Sequence, residues 1–390
     1  MRGIMENVGK TIIKYWLVVI MFLMLKNTKV MYFDLEDFVV EVIREDLLPF
    51  AIRSNITSAS KPKDILHNIQ AVKSYLSSRM LSLSRDNAKQ IYAAYQIPQT
   101  DSIDDRVNVC IKCKGVSIQD SYWIQDDKED EEWDKINIRQ NKLSDILDLS
   151  LSGFSPTITT NKICPELTTK GLFRKGWIHI DDSLYLLKSD RTSGYINTKM
   201  EVLASRILDC FENKIETIMY YSDIKGMMGG DAYVSICKNF VGEKYSFVEA
   251  WEVMDYCKRR DIDFRKKCLE QWGNLFACIP VLDYIIINTD RHTQNYGFFM
   301  NNETGVIEEL APLFDYNCAL VADYFKRDAR DTLSQMFNTS ETLKQLAFAY
   351  INNTRIEFRE DKFIKLVEEY RQYRHIFEQV YIRIQELGII

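Results

Sequence analysis

Apolar and polar residues recur along most of the chain with spacings that predict its helices and strands. Two short apolar runs, residues 177–180 and residues 183–188, flank an acidic pair, which predicts a β-hairpin. Residues 198–213 have helical spacing, and residues 233–240 predict a further strand. Residues 107–111 (VNVCI) also alternate, and we expect a strand there.

The second half of the chain is predominantly helical in its pattern. Helices are predicted for residues 247–257, 268–287, 331–351 and 361–387. Because strands precede helices, the pattern predicts an α+β protein with a strand-rich lobe, a helical lobe and a cleft between them.

The same patterns divide the chain into three segments. Residues 1–150 form a leading region, in which residues 1–29 are an apolar leader. A Ser155-Pro156 pair follows this region and is typical of a boundary. Residues 151–242 then form the strand-rich lobe, and residues 243–390 form the helical lobe.

The apolar leader contains an uninterrupted run at residues 15–25, YWLVVIMFLML. A membrane-spanning helix needs about 20 apolar residues, so this run is too short. The residues after it, KNTK, supply no small-residue cleavage site for a signal peptide. A buried strand or helix is therefore predicted, and a membrane anchor through residues 12–25 is the alternative.

Composition narrows the class of protein. The chain has 390 residues, of which 46% are hydrophobic and 27% charged, as in an ordinary globular protein. A net charge of -6 gives no overall attraction to nucleic acid or to an anionic membrane. The pair Cys110 and Cys113 has no second pair at zinc-finger spacing, and the chain has only four histidines. Composition thus argues against a zinc or iron enzyme, and the cysteine usage predicts a cytoplasmic protein.

Candidate chemistry is concentrated in residues 281–315. Asp290 follows an apolar segment, and Asn295 comes five residues later. Asp315 stands at the end of a predicted hairpin, directly after the stiff apolar sequence Ala-Pro-Leu-Phe. Phosphoryl transfer of the protein-kinase type uses groups in this order: a carboxylate that orients the hydroxyl, an amide ligand, and a metal-binding carboxylate. Magnesium takes few ligands from the protein, so one Asp and one Asn suffice. The spacing alone is a weak signal, because Asp and Asn are common in loops.

Further upstream, Lys188 ends a predicted strand, and Glu201 lies on the next predicted helix. A strand lysine held by a helix glutamate is the phosphate-binding pair of a kinase. Either residue alone is more often a solvated surface residue. The turn at residues 168–171 is positioned to place backbone N–H groups against phosphates. Three basic residues lie in this turn or shortly after it, namely Lys170, Arg174 and Lys175. We expect only Lys170 to contact phosphate.

Several segments resemble one known family. NTDRHTQNYG and APLFD, together with TTKGLFRKGW, YLLKS and EVLASRI, are similar to segments of the HipA-like serine/threonine kinases. Three upstream segments, SSRMLSLSRDN, KGVSIQDSYWI and WDKINIRQNKLSDI, look like the leading region of a HipA-like group found mainly in Firmicutes. The resemblance covers about residues 30–320 and is most specific between Asp290 and Asp315.

This resemblance implies a protein-kinase-like bilobal fold, ATP with Mg²⁺, and transfer to a Ser or Thr hydroxyl of a protein. It makes Asp290 the catalytic base and Asn295 and Asp315 the metal ligands. The residues implied in nucleotide binding are Lys188, Glu201, Thr169, Lys170, Lys238, Asn239 and Phe240, the last three through a backbone hinge for adenine. Family toxins that act with an antitoxin phosphorylate a loop serine on themselves, and Thr168 and Thr169 stand in that neighbourhood here.

Three functions stay open at this point. The first is an ATP-dependent protein kinase, with autophosphorylation and a toxin–antitoxin or regulatory role, whose partners are a protein substrate and an antitoxin-like protein. The second is a small-molecule kinase on the same fold. The third is a nucleotide-binding scaffold without catalysis, against which the presence of Lys188, Asp290, Asn295 and Asp315 argues.

Overall fold

The fold is mixed α and β, as predicted. A computed structural model describes most of the chain beyond residue 20, namely residues 21–57, 61–97, 99, 102–141, 150–151, 167–171, 173–190, 196–227 and 230–390. The predicted boundary at Ser155-Pro156 and most of the apolar leader lie outside these residues. No helix within the described ranges is both long and apolar enough to cross a membrane.

The leading region contains a four-stranded antiparallel sheet. Its strands are β1 (Met21–Leu25), β2 (Thr28–Asp34), β3 (Val39–Val42) and β4 (Tyr122–Asp126), in the order β3-β2-β1-β4. The end of the apolar run at residues 15–25 is thus a strand, and Leu23 and Leu25 are buried in the main core. That outcome agrees with the buried element predicted for the part that is described.

Short and medium helices surround this sheet. They are α1 (Phe50–Arg53), α2 (Pro62–Ser78), α3 (Ala88–Ala94), α4 (Ile103–Lys112) and α5 (Trp133–Ile136). The strand predicted at residues 107–111 was wrong, because this segment belongs to α4. Acidic residues in its first turn and Lys112 in its last turn favour a helix. The apolar pattern is too short to distinguish a helix from a strand, and packing against α2 favours the helix.

A second antiparallel sheet follows. It contains β5 (Arg174–Ile180) and β6 (Ser183–Ser189), which form the predicted hairpin. The helix α6 (Asn197–Leu208) and the short strand β7 (Phe211–Glu212) come next, then β8 (Tyr221–Met227) and β9 (Gly230–Lys238). The sheet order is β5-β6-β9-β8. Helix α6 packs against β9 and is buried along nearly its whole length.

The last part of the chain is mainly helical around a three-stranded sheet. Strand β10 (Tyr245–Glu249) leads into α7 (Ala250–Arg259) and α8 (Phe264–Ile285), and the hairpin β11 (Gly297–Asn301) and β12 (Ile307–Leu310) follows. The helix predicted from residue 247 was wrong at its start, because residues 245–249 pair with β11 instead. The hairpin at the polar turn after residue 300 is confirmed.

The remaining elements are α9 (Val321–Tyr324), α10 (Leu343–Tyr350), β13 (Glu357–Phe358), α11 (Glu360–Glu369) and α12 (Arg374–Glu386). The predicted helix at residues 331–351 is therefore only α10, which begins after a capping box at Thr342. The predicted helix at residues 361–387 is two helices, separated by a 3₁₀ turn at Arg371–Tyr373.

Helix α8 is the centre of the helical part. Its backbone departs from helical geometry at Gly273, after which residues 276–288 are all buried. Because this second half is enclosed by core side chains, its C-terminal end is a rigid support for the loop that follows. Asp290 and Asn295 lie on that loop.

Candidate active site

A cavity of about 430 Å³ lies between the β5-β6-β9-β8 sheet and the helical part. Its volume falls in the usual range for small-molecule pockets, about 300–1,000 Å³. One part of its wall is apolar and includes Leu186, Ile218, Cys237, Val241 and Phe314. The other part carries charged and amide side chains, namely Lys170, Lys175, Lys188, Asp290, Asn295, Asp315 and Asn317. Such a cavity suits a ligand with an apolar ring at one end and negative charge at the other.

Lys188 forms the centre of the charged part. Its Nζ lies 2.5 Å from Glu201 Oε1 on α6 and 2.8 Å from Asp315 Oδ1. Glu201 is fully buried and also accepts a hydrogen bond of 2.7 Å from Ser235. The predicted Lys188–Glu201 contact is present, and Asp315 joins it although 127 residues separate it from Lys188. Glu201 does not line the cavity, so its contact with a ligand would run through Lys188.

The electrostatics of this cluster hold Lys188 and Asp315 in their charged forms. Burial alone would raise the pKa of Asp315, but the ammonium groups of Lys188 and Lys175 outweigh burial and lower it. Burial would lower the pKa of Lys188, but Asp315 and Glu201 outweigh burial and raise it. Burial raises the pKa of Glu201, which Lys188 opposes. An anion and a cation therefore face the cavity at neutral pH.

Asp290 lies near the start of the loop after α8, and it is less buried than Asp315. Burial raises its pKa above the ordinary value, and the charge of Asp315 adds to this effect. Asn295 Nδ2 donates a hydrogen bond of 2.9 Å to the Asp290 carbonyl oxygen. That bond orients the amide, and within the described ranges no hydrogen bond uses Asn295 Oδ1. The loop thus presents a carboxylate and an amide oxygen to one cavity.

Arg291 is a buried residue beside the cavity that the sequence pattern did not single out. It is buried, its Nε lies 3.0 Å from Asp283 Oδ2, and its Nη1 donates to the carbonyl oxygens of Asn295 at 2.6 Å and Phe314 at 2.7 Å. Arg291 therefore ties the Asp290 loop to the residue before Asp315. The signal was available in the sequence, because an Asp within the apolar run VLDYIII requires a buried partner.

His292 braces the same loop. Its ring Nδ1 accepts a hydrogen bond of 3.2 Å from the backbone N–H of Gln294. The backbone N–H of His292 donates to the Asp290 carbonyl oxygen. Both bonds stabilise the conformation of the loop.

Asn317 adds an oxygen atom to the charged part of the cavity. Tyr316 is buried in the core, whereas its neighbours Asp315 and Asn317 both line the cavity. Asn317 Oδ1 is buried and has no hydrogen-bond partner among the described residues. A buried polar atom without a partner costs roughly 1–3 kcal/mol, and a bound cation is one group that would satisfy it.

These oxygen atoms fit a magnesium ion. Within the described part of the chain, no cluster of three or more His, Cys, Asp and Glu side chains could hold a metal ion. The cavity instead offers Asp315 Oδ2, Asn295 Oδ1 and the unpartnered Asn317 Oδ1. Magnesium prefers hard oxygen ligands and takes the rest of its shell from phosphate and water. This donor set matches that preference.

The turn at residues 168–171 lies over Lys175. Gly171 has a φ of +96°, and a Cβ at this position would lie 2.5 Å from Lys175 Nζ. Lys175 is buried, and its Nζ lies 3.7 Å from Asp315 Oδ2. Lys170, which we expected to contact phosphate, instead pairs with Glu249 at 2.9 Å while still lining the cavity. Of Lys170 and Lys175, Lys175 is therefore the one that lies beside Asp315. Thr169 is held by Trp177, whose Nε1 donates to Thr169 Oγ1 at 2.8 Å.

The predicted adenine hinge borders the apolar part of the cavity. Lys238 ends β9, and Lys238, Asn239 and Phe240 all line the cavity. The Asn239 N–H donates to the Leu184 carbonyl oxygen at 2.8 Å and is not available to a ligand. The Phe240 N–H is not hydrogen-bonded to any described residue. Phe240 therefore offers a backbone donor that no described residue engages.

The leading region also contributes to the cavity. Ser82, Ser84 and Gln119 line it. Arg85 donates to the carbonyl oxygen of Thr169 at 3.1 Å and to that of Lys175. Through these bonds the leading region holds both the turn and the backbone of Lys175 in β5.

Comparison with known proteins shows no family for this chain. No protein-family model matches it, and no curated protein matches it. The crystal structure of the proinflammatory kinase CtkA of Helicobacter pylori is similar over 55% of this chain and 92% of that chain, with 14% identity and a TM-score of 0.38. At this TM-score and identity the likeness carries no conclusion about this chain.

Proposed function

We propose that this protein is an ATP- and magnesium-dependent kinase of the HipA-like type that transfers a phosphoryl group to a Ser or Thr hydroxyl of a protein. The observation that carries the proposal is the meeting of Lys188, Asp290, Asn295 and Asp315 in one cavity, although they come from distant parts of the chain. A phosphoryl-transfer site requires these groups together, because its catalysis consists mainly of positioning and charge stabilisation. The protein acceptor is proposed on the resemblance of the loop and turn sequences.

Each residue has a distinct role in this proposal. The apolar part of the cavity takes the adenine ring, with the Phe240 N–H as a hydrogen-bond donor. Lys188, held by Glu201, binds phosphate oxygens and is kept in place by its buried partners. Asp290 accepts the proton of the attacking hydroxyl, and its pKa, raised by burial, makes it a better base than an ordinary carboxylate. Magnesium, when bound, neutralises phosphate charge, and Asp315, Asn295 and Asn317 are the side chains that would hold it.

The test is transfer of labelled phosphate from [γ-³²P]ATP to the protein itself and to proteins of a cell lysate. We expect Asp290→Asn to reduce transfer at least about 100-fold, the lower range of a general acid–base contribution, with little change in ATP affinity. Asp361→Asn is the matched control, because Asp361 is an exposed residue of α11 remote from the cavity. It should retain full transfer.

Three outcomes would count against the proposal. Absence of ATP binding would remove the kinase function altogether. Binding without transfer to any protein would favour a scaffold. Consumption of ATP only in the presence of a sugar or an antibiotic would replace the protein acceptor by a small molecule, a substitution that a panel of such compounds detects.

A further inference from the structure

Two lysine side chains approach the cavity from adjacent strands and directly opposite each other. Lys175 in β5 is the cross-strand partner of Lys188 in β6. Because directly opposed residues of an antiparallel pair project from the same face, both side chains point to the cavity, and both line it. Like charges at opposed positions destabilise a sheet, and both residues are buried. Compensating negative charge is therefore required at this point.

Asp315 supplies that charge unequally. Its Oδ1 lies 2.8 Å from Lys188 Nζ, whereas its Oδ2 lies 3.7 Å from Lys175 Nζ. Lys188 has Glu201 as a second partner, but the distance from Lys175 to Asp315 exceeds hydrogen-bond length. Within the described ranges no hydrogen bond engages Lys175 Nζ. An ammonium group carries three donors, so Lys175 has hydrogen-bonding capacity that no described residue uses.

The turn at residues 168–171 encloses Lys175 from the other side. A Cβ at position 171 would lie 2.5 Å from Nζ, so the turn and the ammonium group keep their present positions only with a glycine there. Arg85 holds the same turn through the Thr169 carbonyl oxygen and holds the Lys175 backbone through its carbonyl oxygen. The ammonium group of Lys175 thus lies between the backbone of Gly171 and the carboxylate of Asp315. Backbone turns of this kind form concave sites for anions.

We propose that Lys175 is a second phosphate-binding residue, which neutralises Asp315 in the nucleotide-free protein and transfers its ammonium group to phosphate oxygens when a nucleoside triphosphate binds. The inference rests on the proposed function and adds to it an exchange of partners. Once Lys175 contacts phosphate, Asp315 Oδ2 is released to a divalent cation, which replaces the lysine as counter-ion. The same side chain therefore assists nucleotide binding and opposes metal binding in the empty site.

A single variant, Lys175→Met, should therefore weaken nucleotide binding and strengthen metal binding. Calorimetric titration without divalent cations should show at least a 10-fold loss of affinity for the non-hydrolysable ATP analogue AMP-PNP. Affinity for adenosine, which lacks phosphates, should not change. Mn²⁺ binding to the nucleotide-free protein, followed by electron paramagnetic resonance, should become at least 2-fold tighter because its competitor at Asp315 is gone.

Lys114→Met is the matched control, because Lys114 is an ion-paired lysine that does not line the cavity. It lies in the leading region, where it pairs with Glu129 and, at 2.5 Å, with Glu131. It should bind AMP-PNP, adenosine and Mn²⁺ as the wild type does. Lys175→Gln gives the same readouts with a polar side chain, should Lys175→Met fold poorly. Equal AMP-PNP affinity in the wild type and in a folded variant, or weaker Mn²⁺ binding in that variant, overturns the inference and leaves the proposed function intact. A wild type that binds neither AMP-PNP nor adenosine overturns both.

Discussion

Arg291 and Asp283 form a buried ion pair, with 3.0 Å between Nε and Oδ2. Asp283 lies in the enclosed half of α8, and Arg291 follows Asp290 directly. Arg291 Nη1 also donates to the carbonyl oxygens of Asn295 and of Phe314, the residue directly before Asp315. The pair therefore fixes the relative positions of Asp290, Asn295 and Asp315 without lining the cavity itself.

Removal of this arginine should be costly for stability. We expect Arg291→Ala to lower the free energy of unfolding by about 3–5 kcal/mol, because it leaves the buried Asp283 carboxylate without a partner. Arg374→Ala is the control, since the Arg374 side chain is 79% exposed and its pair with Glu378 is on the surface. Such a pair contributes about 0–1 kcal/mol. Urea unfolding measures both variants, and similar losses in the two would show that the buried pair does not stabilise the fold.

The support of Lys188 by Glu201 leads to a prediction about nucleotide affinity. Glu201→Gln keeps the side-chain volume but leaves Lys188 with Asp315 as its remaining ion-pair partner. We expect about a 10-fold loss of ATP affinity, which corresponds to about 1.4 kcal/mol, and no change for adenosine. Titration by fluorescence or calorimetry provides the measurement.

The control for Glu201→Gln is the same substitution at Glu341. Glu341 pairs with Arg265 at 2.5 Å and does not line the cavity. Its variant should bind ATP as the wild type does. A loss of adenosine affinity equal to the loss of ATP affinity in Glu201→Gln would mean that Glu201 shapes the whole cavity and not the phosphate end.

The order of elements allowed much of this site to be predicted from the sequence. Lys188 and Glu201 were recognisable because a strand and the next helix carry them, and Asp290, Asn295 and Asp315 because loops and a hairpin separate them at fixed spacing. Their assembly in one cavity depends on long-range packing that no local pattern contains. Their roles as catalytic and binding residues remain predictions.

Other features could not be predicted, for identifiable physical reasons. The sequence does not show that Lys170 pairs with Glu249 whereas Lys175 lies beside Asp315, because both contacts depend on long-range packing. The unpartnered oxygen of Asn317 depends on which face of its segment meets the cavity. Residues 107–111, predicted as a strand, belong to the helix Ile103–Lys112, because contact with α2 outweighs a short apolar pattern.

Asp290 and Asp315 should affect stability with opposite signs. Burial raises the pKa of Asp290, so the folded state holds its proton where the unfolded chain, with a pKa of about 3.9, has lost it. Its contribution to stability therefore falls as pH rises through this window, and Asp290→Asn should unfold at the same or a higher temperature than the wild type at pH 7. Differential scanning calorimetry at pH 7 and at pH 4 checks the sign, because the gain should shrink at the lower pH.

For Asp315 the sign is reversed. Burial is outweighed by Lys188 and Lys175, which lower its pKa, so its stabilising contribution is present above the unfolded pKa of about 3.9 and is lost as pH falls through the folded value. Asp315→Asn should therefore lower the melting temperature at pH 7 by about 2 °C or more. A shift of the same sign in Asp290→Asn and Asp315→Asn would contradict the electrostatic description of the site.

Gly171→Ala tests the close approach of the turn to Lys175. Position 171 has a φ of +96°, and the added Cβ would lie 2.5 Å from Lys175 Nζ, so the turn or the ammonium group has to move. Gly388→Ala is the matched control, because Gly388 also has a positive φ, +67°, but a Cβ there meets nothing within 4 Å. Both variants should carry a similar backbone strain of roughly 1 kcal/mol. Only Gly171→Ala should weaken AMP-PNP binding, by about 10-fold or 1.4 kcal/mol. Unchanged AMP-PNP affinity in a folded Gly171→Ala variant would show that phosphate does not bind beneath this turn.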